Sequence, residues 1–121
     1  MHTVYLENQG SKGFVLHTLP LPAQYSPVYG IVTTDLNADG KKDILLTGNN
    51  TWTRIKFGRY SANHGIVLLG DGKGYFNYAP QTESGLNIRG NIRSLELIKT
   101  GKSQSVIAGI NNGNALLLNR R

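Results

Sequence analysis

The chain contains no cysteine, and this absence excludes disulfide bonds, iron–sulfur clusters and catalysis by a thiol. No apolar run approaches the roughly 18 residues that a membrane-spanning helix needs, so no membrane span is predicted. The first residues lack a basic segment followed by an apolar core, so no signal peptide is predicted. Only 17% of the 121 residues are charged, whereas 15 are glycine, and this balance favours a turn-rich all-β domain.

Acidic residues are also few, 7 against 13 lysines and arginines, which leaves a formal net charge of +6. A positive charge of this size raises the question of a nucleic-acid partner. The basic residues are scattered along the chain, however, and no nucleic-acid-binding motif accompanies them. We therefore interpret them as a solvated basic surface and predict no nucleic-acid partner.

The segment Asp35–Asp43 contains the clearest motif of the chain. Oxygen-bearing side chains stand at loop positions 1, 3, 5 and 9, which are Asp35, Asn37, Asp39 and Asp43. Position 6 is Gly40, which permits a sharp turn, and position 7 is Lys41, which would contribute its backbone carbonyl. Calcium takes roughly 6–8 oxygen ligands, and alternate residues of a tight loop can all point inward. The spacing therefore predicts a Ca²⁺ site.

The residues around this loop distinguish two kinds of calcium site. An EF-hand needs a glutamate at position 12 and a helix on each side, but position 12 is Leu46 here. The flanks Tyr29–Thr34 and Ile44–Gly48 are short, and the first is rich in β-branched residues, which indicates strands. We predict a calcium loop between two β-strands, with a plain Asp-Gly hairpin turn as the alternative.

The sequence also contains an internal repeat. Sliding it by 62 residues places Val4–Leu6 on Ile66–Leu68 and Asn49-Asn50 on Asn111-Asn112. Self-similarity at a fixed period is typical of repeated supersecondary units.

Nine strands are predicted within this repeat, at residues 3–7, 14–19, 28–34, 44–47, 65–69, 75–79, 92–98, 105–110 and 115–119. If the strands of one unit are labelled A to D, the chain reads C-D, A-B-C-D, A-B-C. Four-stranded units repeated radially are β-propeller blades. We therefore predict an all-β fold with a partial blade at 1–22, a complete blade at 23–86 and a partial last blade at 87–121. The missing blades would come from a longer chain, of which this is a C-terminal propeller segment, or from other copies that close a ring.

The same shift tests for a second calcium loop. It places Leu97, Lys99, Gly101 and Ser105 at the positions of the four oxygen-bearing side chains. Because these residues lack carboxylates, one calcium site is expected and not two.

Residues Ser26–Phe76 resemble the FG-GAP/VCBS repeats of integrin-α-type β-propellers. The resemblance rests on Asp35–Ile44, the following Asn49-Asn50 and the hairpin Gly65–Phe76. The name-giving Phe-Gly…Gly-Ala-Pro pattern is not intact after Phe57-Gly58, which favours a bacterial VCBS-like propeller.

The resemblance implies calcium at the propeller periphery, held by Asp35, Asn37, Asp39, Asp43 and the Lys41 carbonyl. It also implies a secreted or cell-surface protein, extracellular or periplasmic, that serves adhesion or ligand binding.

The insertion at residues 51–64 offers a candidate binding surface. It contains Trp52, Arg54, Arg59 and Tyr60 between the second and third strands of the complete blade. An exposed tryptophan with arginine and tyrosine is a plausible anchor for a glycan or protein ligand. The alternative is that Trp52 and Phe57 pack over the blade edge and hold the long loop down.

No catalytic constellation is recognisable, because His2, His17 and His64 have no acid or serine partner at a familiar spacing. We therefore predict a non-catalytic, calcium-binding propeller module for extracellular adhesion or ligand binding. The alternatives are a carbohydrate-binding propeller assembled by oligomerisation and an accessory segment of a larger secreted enzyme.

Overall fold

The computed structural model describes residues 2–51, 58, 61–101 and 103–119, and these form three antiparallel sheets with almost no helix. The first sheet contains β1 (Val4–Asn8) and β2 (Phe14–Thr18). The central sheet contains, in order, β3 (Val28–Thr34), β4 (Asp43–Gly48), β5 (Ile66–Gly70) and β6 (Phe76–Ala79). The third sheet contains β7 (Ile92–Thr100), β8 (Ser103–Ile110) and β9 (Leu116–Asn119).

The predicted all-β fold is confirmed. In the described part of the chain, the helical residues are a single turn, α1 (Gln81–Ser84), and two short 3₁₀ segments, Gly10–Lys12 and Leu21–Gln24. Within the described residues, no helix is long and apolar enough to cross a membrane.

The central sheet is covered on both faces. Alternate side chains of each strand point to opposite sides, so each strand can contribute to two different cores. One face contributes Val32, Leu45, Val67 and Ala79 to a core shared with Ile92, Leu95, Val106 and Ala108 of the third sheet. The other face contributes Ile44, Leu46, Ile66 and Leu68 to a second core that includes Leu19 and Ala23. As a result every residue of β4 is buried.

Tyr5 joins the first sheet to the central sheet. Its ring stacks on His17 at 4.7 Å and meets Phe76 edge-on at 5.4 Å, and its hydroxyl donates a hydrogen bond to the Gly74 carbonyl. Loss of surrounding solvent, followed by the charge of Glu7, raises the pKa of Tyr5 above its ordinary value. The phenol therefore remains a hydrogen-bond donor.

A bulge recurs at the same place in the central and third sheets. The register shifts between Val28 and Gly30 in β3 and between Ile92 and Ser94 in β7. The residues inside the two bulges meet, with the Arg93 guanidinium 4.2 Å from the centre of the Tyr29 ring. The bulges therefore align β3 beside β7.

The third sheet corrects one detail of the repeat. β7 continues to Thr100, which pairs with Ser103, so the β7–β8 connection is a tight turn. Thr34 pairs with Asp43 and Ile98 with Ser105, which makes Lys99, and not Leu97, the counterpart of Asp35. The fixed shift of 62 residues was wrong here, because the β7–β8 turn is two residues shorter than the β3–β4 loop.

Asn49 ties the end of β4 to two other segments. Its side chain is 2% exposed, donates to the carbonyls of Asn63 (2.6 Å) and Gly90 (3.1 Å), and accepts from the Asn63 backbone N–H (2.9 Å). Its φ of 87° lies in the left-handed region, where asparagine is among the few tolerated residues. One buried amide thus fixes the chain at the end of β4 and beside β7.

We expect Asn49→Ala to lower the free energy of unfolding by about 3 kcal/mol, because it leaves buried backbone groups unpaired and strains alanine at a positive φ. Asn111 occupies the matching position after β8 with an exposed side chain, so Asn111→Ala is the control and should cost about 0.5 kcal/mol or less. Urea unfolding of both variants measures the difference. Equal costs would contradict the role given to Asn49.

Candidate metal centre

The predicted calcium loop connects β3 to β4 at one end of the central sheet. The pair Thr34–Asp43 closes the hairpin, and the residues from Asn37 to Lys42 between them are exposed. The Thr34 hydroxyl also donates to Gln104 Oε1 at 3.1 Å. The loop is therefore supported by the third sheet as well as by its own hairpin.

Asp35 organises the loop backbone. Its Oδ1 accepts from the N–H groups of Ala38 (2.6 Å) and Asp39 (3.2 Å), and its Oδ2 accepts from Gly40 (2.9 Å). Gly40 has a φ of +81°, and a Cβ added there would meet nothing within 4 Å. Glycine is needed at this position for its backbone conformation and not for space.

Asn37 and Asp39 are joined to each other inside the loop. Asn37 Oδ1 accepts from the Asp39 N–H (3.1 Å), and Asn37 Nδ2 donates to Asp39 Oδ2 (3.2 Å). The Lys41 N–H donates to Asp39 Oδ1 at 2.8 Å, and this bond is the main reason that the pKa of Asp39 lies below its ordinary value. The same hydrogen bond therefore favours the carboxylate form of Asp39, which is the form a cation would bind.

Asp43 is fully buried and joins the loop to the neighbouring strand. Its Oδ2 accepts from the Leu36 N–H (2.7 Å), and its Oδ1 accepts from the Gly70 N–H of β5 (2.9 Å). In the third sheet the equivalent Ser105 hydroxyl donates to Asn119 Oδ1 on β9 (2.6 Å). A side chain at this position links the second and third strands of both the central and the third sheet, and in the central sheet it is a carboxyl group.

The four predicted ligand side chains thus lie on one loop. Asp35 and Asn37 both accept from the Asp39 N–H, and the Asn37 amide also donates to the Asp39 carboxylate. Among the described residues, no three carboxylate or imidazole side chains converge on a single point. The ligand set also includes an amide and a backbone carbonyl. Asp35 Oδ1 accepts two N–H bonds, whereas each other carboxylate oxygen of the loop accepts one and keeps a second lone pair. Oxygen donors of this kind on a tight, glycine-containing loop fit Ca²⁺.

The side chain of Lys41 also takes part in the loop, in addition to the backbone carbonyl that was predicted as a ligand. Its ammonium lies 3.6 Å from Asp39 Oδ2. Among the described residues this is the only cationic side chain within ion-pair distance of the three loop aspartates. A lysine so placed competes weakly with a bound cation, because the pair is exposed.

Sequence reasoning missed an acid partner for His17. The Nε2 of His17 lies 2.8 Å from Glu7 Oε2, although the spacing of the two residues matches no familiar catalytic motif. The two residues are diagonal neighbours across the β1–β2 hairpin, where Tyr5 pairs with His17 and Glu7 with Val15. The predicted hairpin, with its register, could have revealed this pair.

The predicted ligand-binding residues Trp52, Arg54, Arg59 and Tyr60 lie outside the described residues. A separate cleft of about 1550 Å³ opens between the central and third sheets. Asp35 and Asn37 of the calcium loop line it, together with Lys99 and Gln104 of the third sheet. The loop is thus part of the wall of this cleft.

Comparison of the chain with known protein families, curated proteins and solved structures finds no match.

We expect Asp43→Ala to cost about 2–4 kcal/mol of unfolding free energy in a calcium chelator, because two backbone N–H groups lose their acceptor, one of them buried. Asp39→Ala is the matched control in the same loop, where the affected groups are exposed, and should cost about 1 kcal/mol or less. Chemical denaturation in chelator measures both. Equal losses would show that Asp43 does not hold the loop to β5.

Proposed function

We propose that this chain is a non-catalytic, calcium-binding β-propeller module of the FG-GAP/VCBS type, used for extracellular adhesion or ligand binding. The observation that carries the proposal is the Asp43 carboxylate, which is fully buried behind a loop that holds two further aspartates. No cationic side chain in the described residues forms an ion pair with Asp43.

The charge balance of the loop favours a cation. Three carboxylates lie within nine residues, and Lys41 is the one cation paired with them in the described part of the chain. Burying a carboxylate without a compensating charge is costly, and like charges close together add to that cost. A divalent cation bound to the loop would offset both effects.

The residues that would hold Ca²⁺ are Asp35, Asn37, Asp39, Asp43 and the carbonyl of Lys41. A bound ion would supply positive charge and fix the loop, rather than activate a water. The loop hydrogen bonds already place Asp35, Asn37 and Asp39 close together, so less ordering remains for the ion to impose.

The arrangement of the sheets supports the propeller part of the proposal. Two, four and three antiparallel strands follow each other along the chain, and the central sheet packs face to face with both neighbours. Stacked four-stranded units of this kind make up propellers, whose loops present ligands at the faces. A protein or glycan ligand and a secreted or cell-surface location follow from the proposed family.

We expect calcium to raise the melting temperature of the chain and a chelator to lower it. For calcium at about ten times the dissociation constant, linkage gives about 1.4 kcal/mol, or roughly 4–8 °C for a domain of this size. Extracellular modules bind calcium at about 10⁻⁴–10⁻³ M, so millimolar calcium is the appropriate range. Thermal unfolding followed by circular dichroism measures the shift.

The control for this experiment uses two matched variants. Asp39→Asn should abolish most of the calcium-dependent shift while preserving an acceptor for the Lys41 N–H. Asp71 lies in a glycine-rich turn and accepts from the Lys73 and Tyr75 N–H groups, so Asp71→Asn should leave the shift unchanged. If the wild-type melting temperature responds to neither calcium nor chelator, the calcium proposal fails.

A further inference from the structure

The two outer sheets each leave one face uncovered, and both uncovered faces carry exposed apolar side chains. On the first sheet, Leu6 pairs with Leu16 in register, and each is 60% exposed. Phe14 lies on the same face at 67% exposure. On the third sheet, Ile107 pairs with Leu117, and Leu117 is 52% exposed.

The repeat identifies what these faces are equivalent to. Leu6 corresponds to Leu68 of the central sheet, which is 0% exposed against the first sheet. Strand register makes the pair Ile107–Leu117 equivalent to Leu45–Val67, which are 3% and 7% exposed against the third sheet. Within the chain, the central sheet uses the equivalents of these two faces to pack against the first and the third sheet. The two uncovered faces are therefore suited to pack against each other.

The position of Glu96 on the third sheet limits the size of any sheet that could pack on its uncovered face. Glu96 extends the row of Ile107 and Leu117, and it occupies the position of Val32, which is 6% exposed in the central sheet. A four-stranded sheet stacked on this face would bury the Glu96 carboxylate, at a high cost in free energy. A sheet that lacks its first two strands would leave Glu96 in water.

The first sheet of this chain has that shape. It contains only the third and fourth strands of a unit, and its contact with the central sheet leaves Ile31 of β3 59% exposed. Stacked on the third sheet of another molecule, it would cover Ile107 and Leu117 and leave Glu96 uncovered, as it leaves Ile31 uncovered within the chain.

We propose that the outer face of the first sheet docks on the outer face of the third sheet of a second copy of this chain. The two surfaces differ, so the contact is head-to-tail, and each copy retains one free face for the next. Such contacts form closed rings or open filaments, depending on whether the rotation closes. The inference does not involve the calcium loop, so the calcium proposal and this one can fail separately.

The test is the molar mass of the calcium-saturated chain, measured by light scattering and sedimentation over a wide range of concentration. The wild type should self-associate, and Leu6→Glu or Leu117→Glu should each weaken association by roughly tenfold or more, as expected for a lost apolar anchor. Ile31→Glu is the matched control, because Ile31 is as exposed but lies outside both faces. It should associate like the wild type.

A mixture of Leu6→Glu with Leu117→Glu separates this contact from a symmetric one. Each variant retains one intact face, so a head-to-tail contact predicts a dimer in the mixture and no larger species. A wild type that remains monomeric throughout, or association that neither variant weakens, would overturn the proposal.

The absence of cysteine offers a second readout that does not depend on charged variants folding. Leu16→Cys and Leu117→Cys, mixed and gently oxidised, should give an intermolecular disulfide, whereas Ile31→Cys mixed with Leu117→Cys should not. Equal crosslinking in both mixtures would contradict the proposed contact.

Discussion

Face-to-face burial of the central sheet is the constraint on which the other features depend. β4 is buried along its whole length because apolar side chains on its two sides enter two different cores. Neither outer sheet could be removed without exposing one of those cores to water. The calcium loop begins and ends on β3 and β4, so its geometry is determined by this packing rather than by the loop residues alone.

Two buried polar side chains lie at the two ends of β4, and both form hydrogen bonds with main-chain groups. Asp43 at the start binds the N–H groups of Leu36 and Gly70, and Asn49 just after the end binds backbone groups of Asn63 and Gly90. Each satisfies main-chain groups where the sheet gives way to irregular structure. The difference between them is charge. Asn49 is a neutral amide, whereas Asp43 is a buried carboxyl group with no ion-pair partner among the described residues.

The incomplete outer sheets give the molecule a second property that its sequence motif does not describe. In a repeat whose units bury both faces, a sheet that contacts a neighbour on one side only has its other apolar face exposed. Leu6 and Leu16 on one side and Leu117 on the other are residues of that kind. Their exposure, together with the charge of Glu96, is the basis of the proposed assembly, as the burial of Asp43 is the basis of the proposed calcium site.

The strands, their grouping and the position of the Asp35–Asp43 loop could be predicted from the sequence, because alternation, glycine turns and side-chain spacing are local patterns. Register and long-range contacts decided the rest. The pair Glu7–His17 and the equivalence of Asp35 to Lys99 depend on which residues stand opposite each other, and a bulge or a shortened turn changes that pairing without changing the local pattern. The burial of Asp43 likewise depends on β5 and the third sheet, which lie far along the chain. Only the tertiary structure therefore distinguishes the one buried carboxylate of the loop from its two more exposed neighbours.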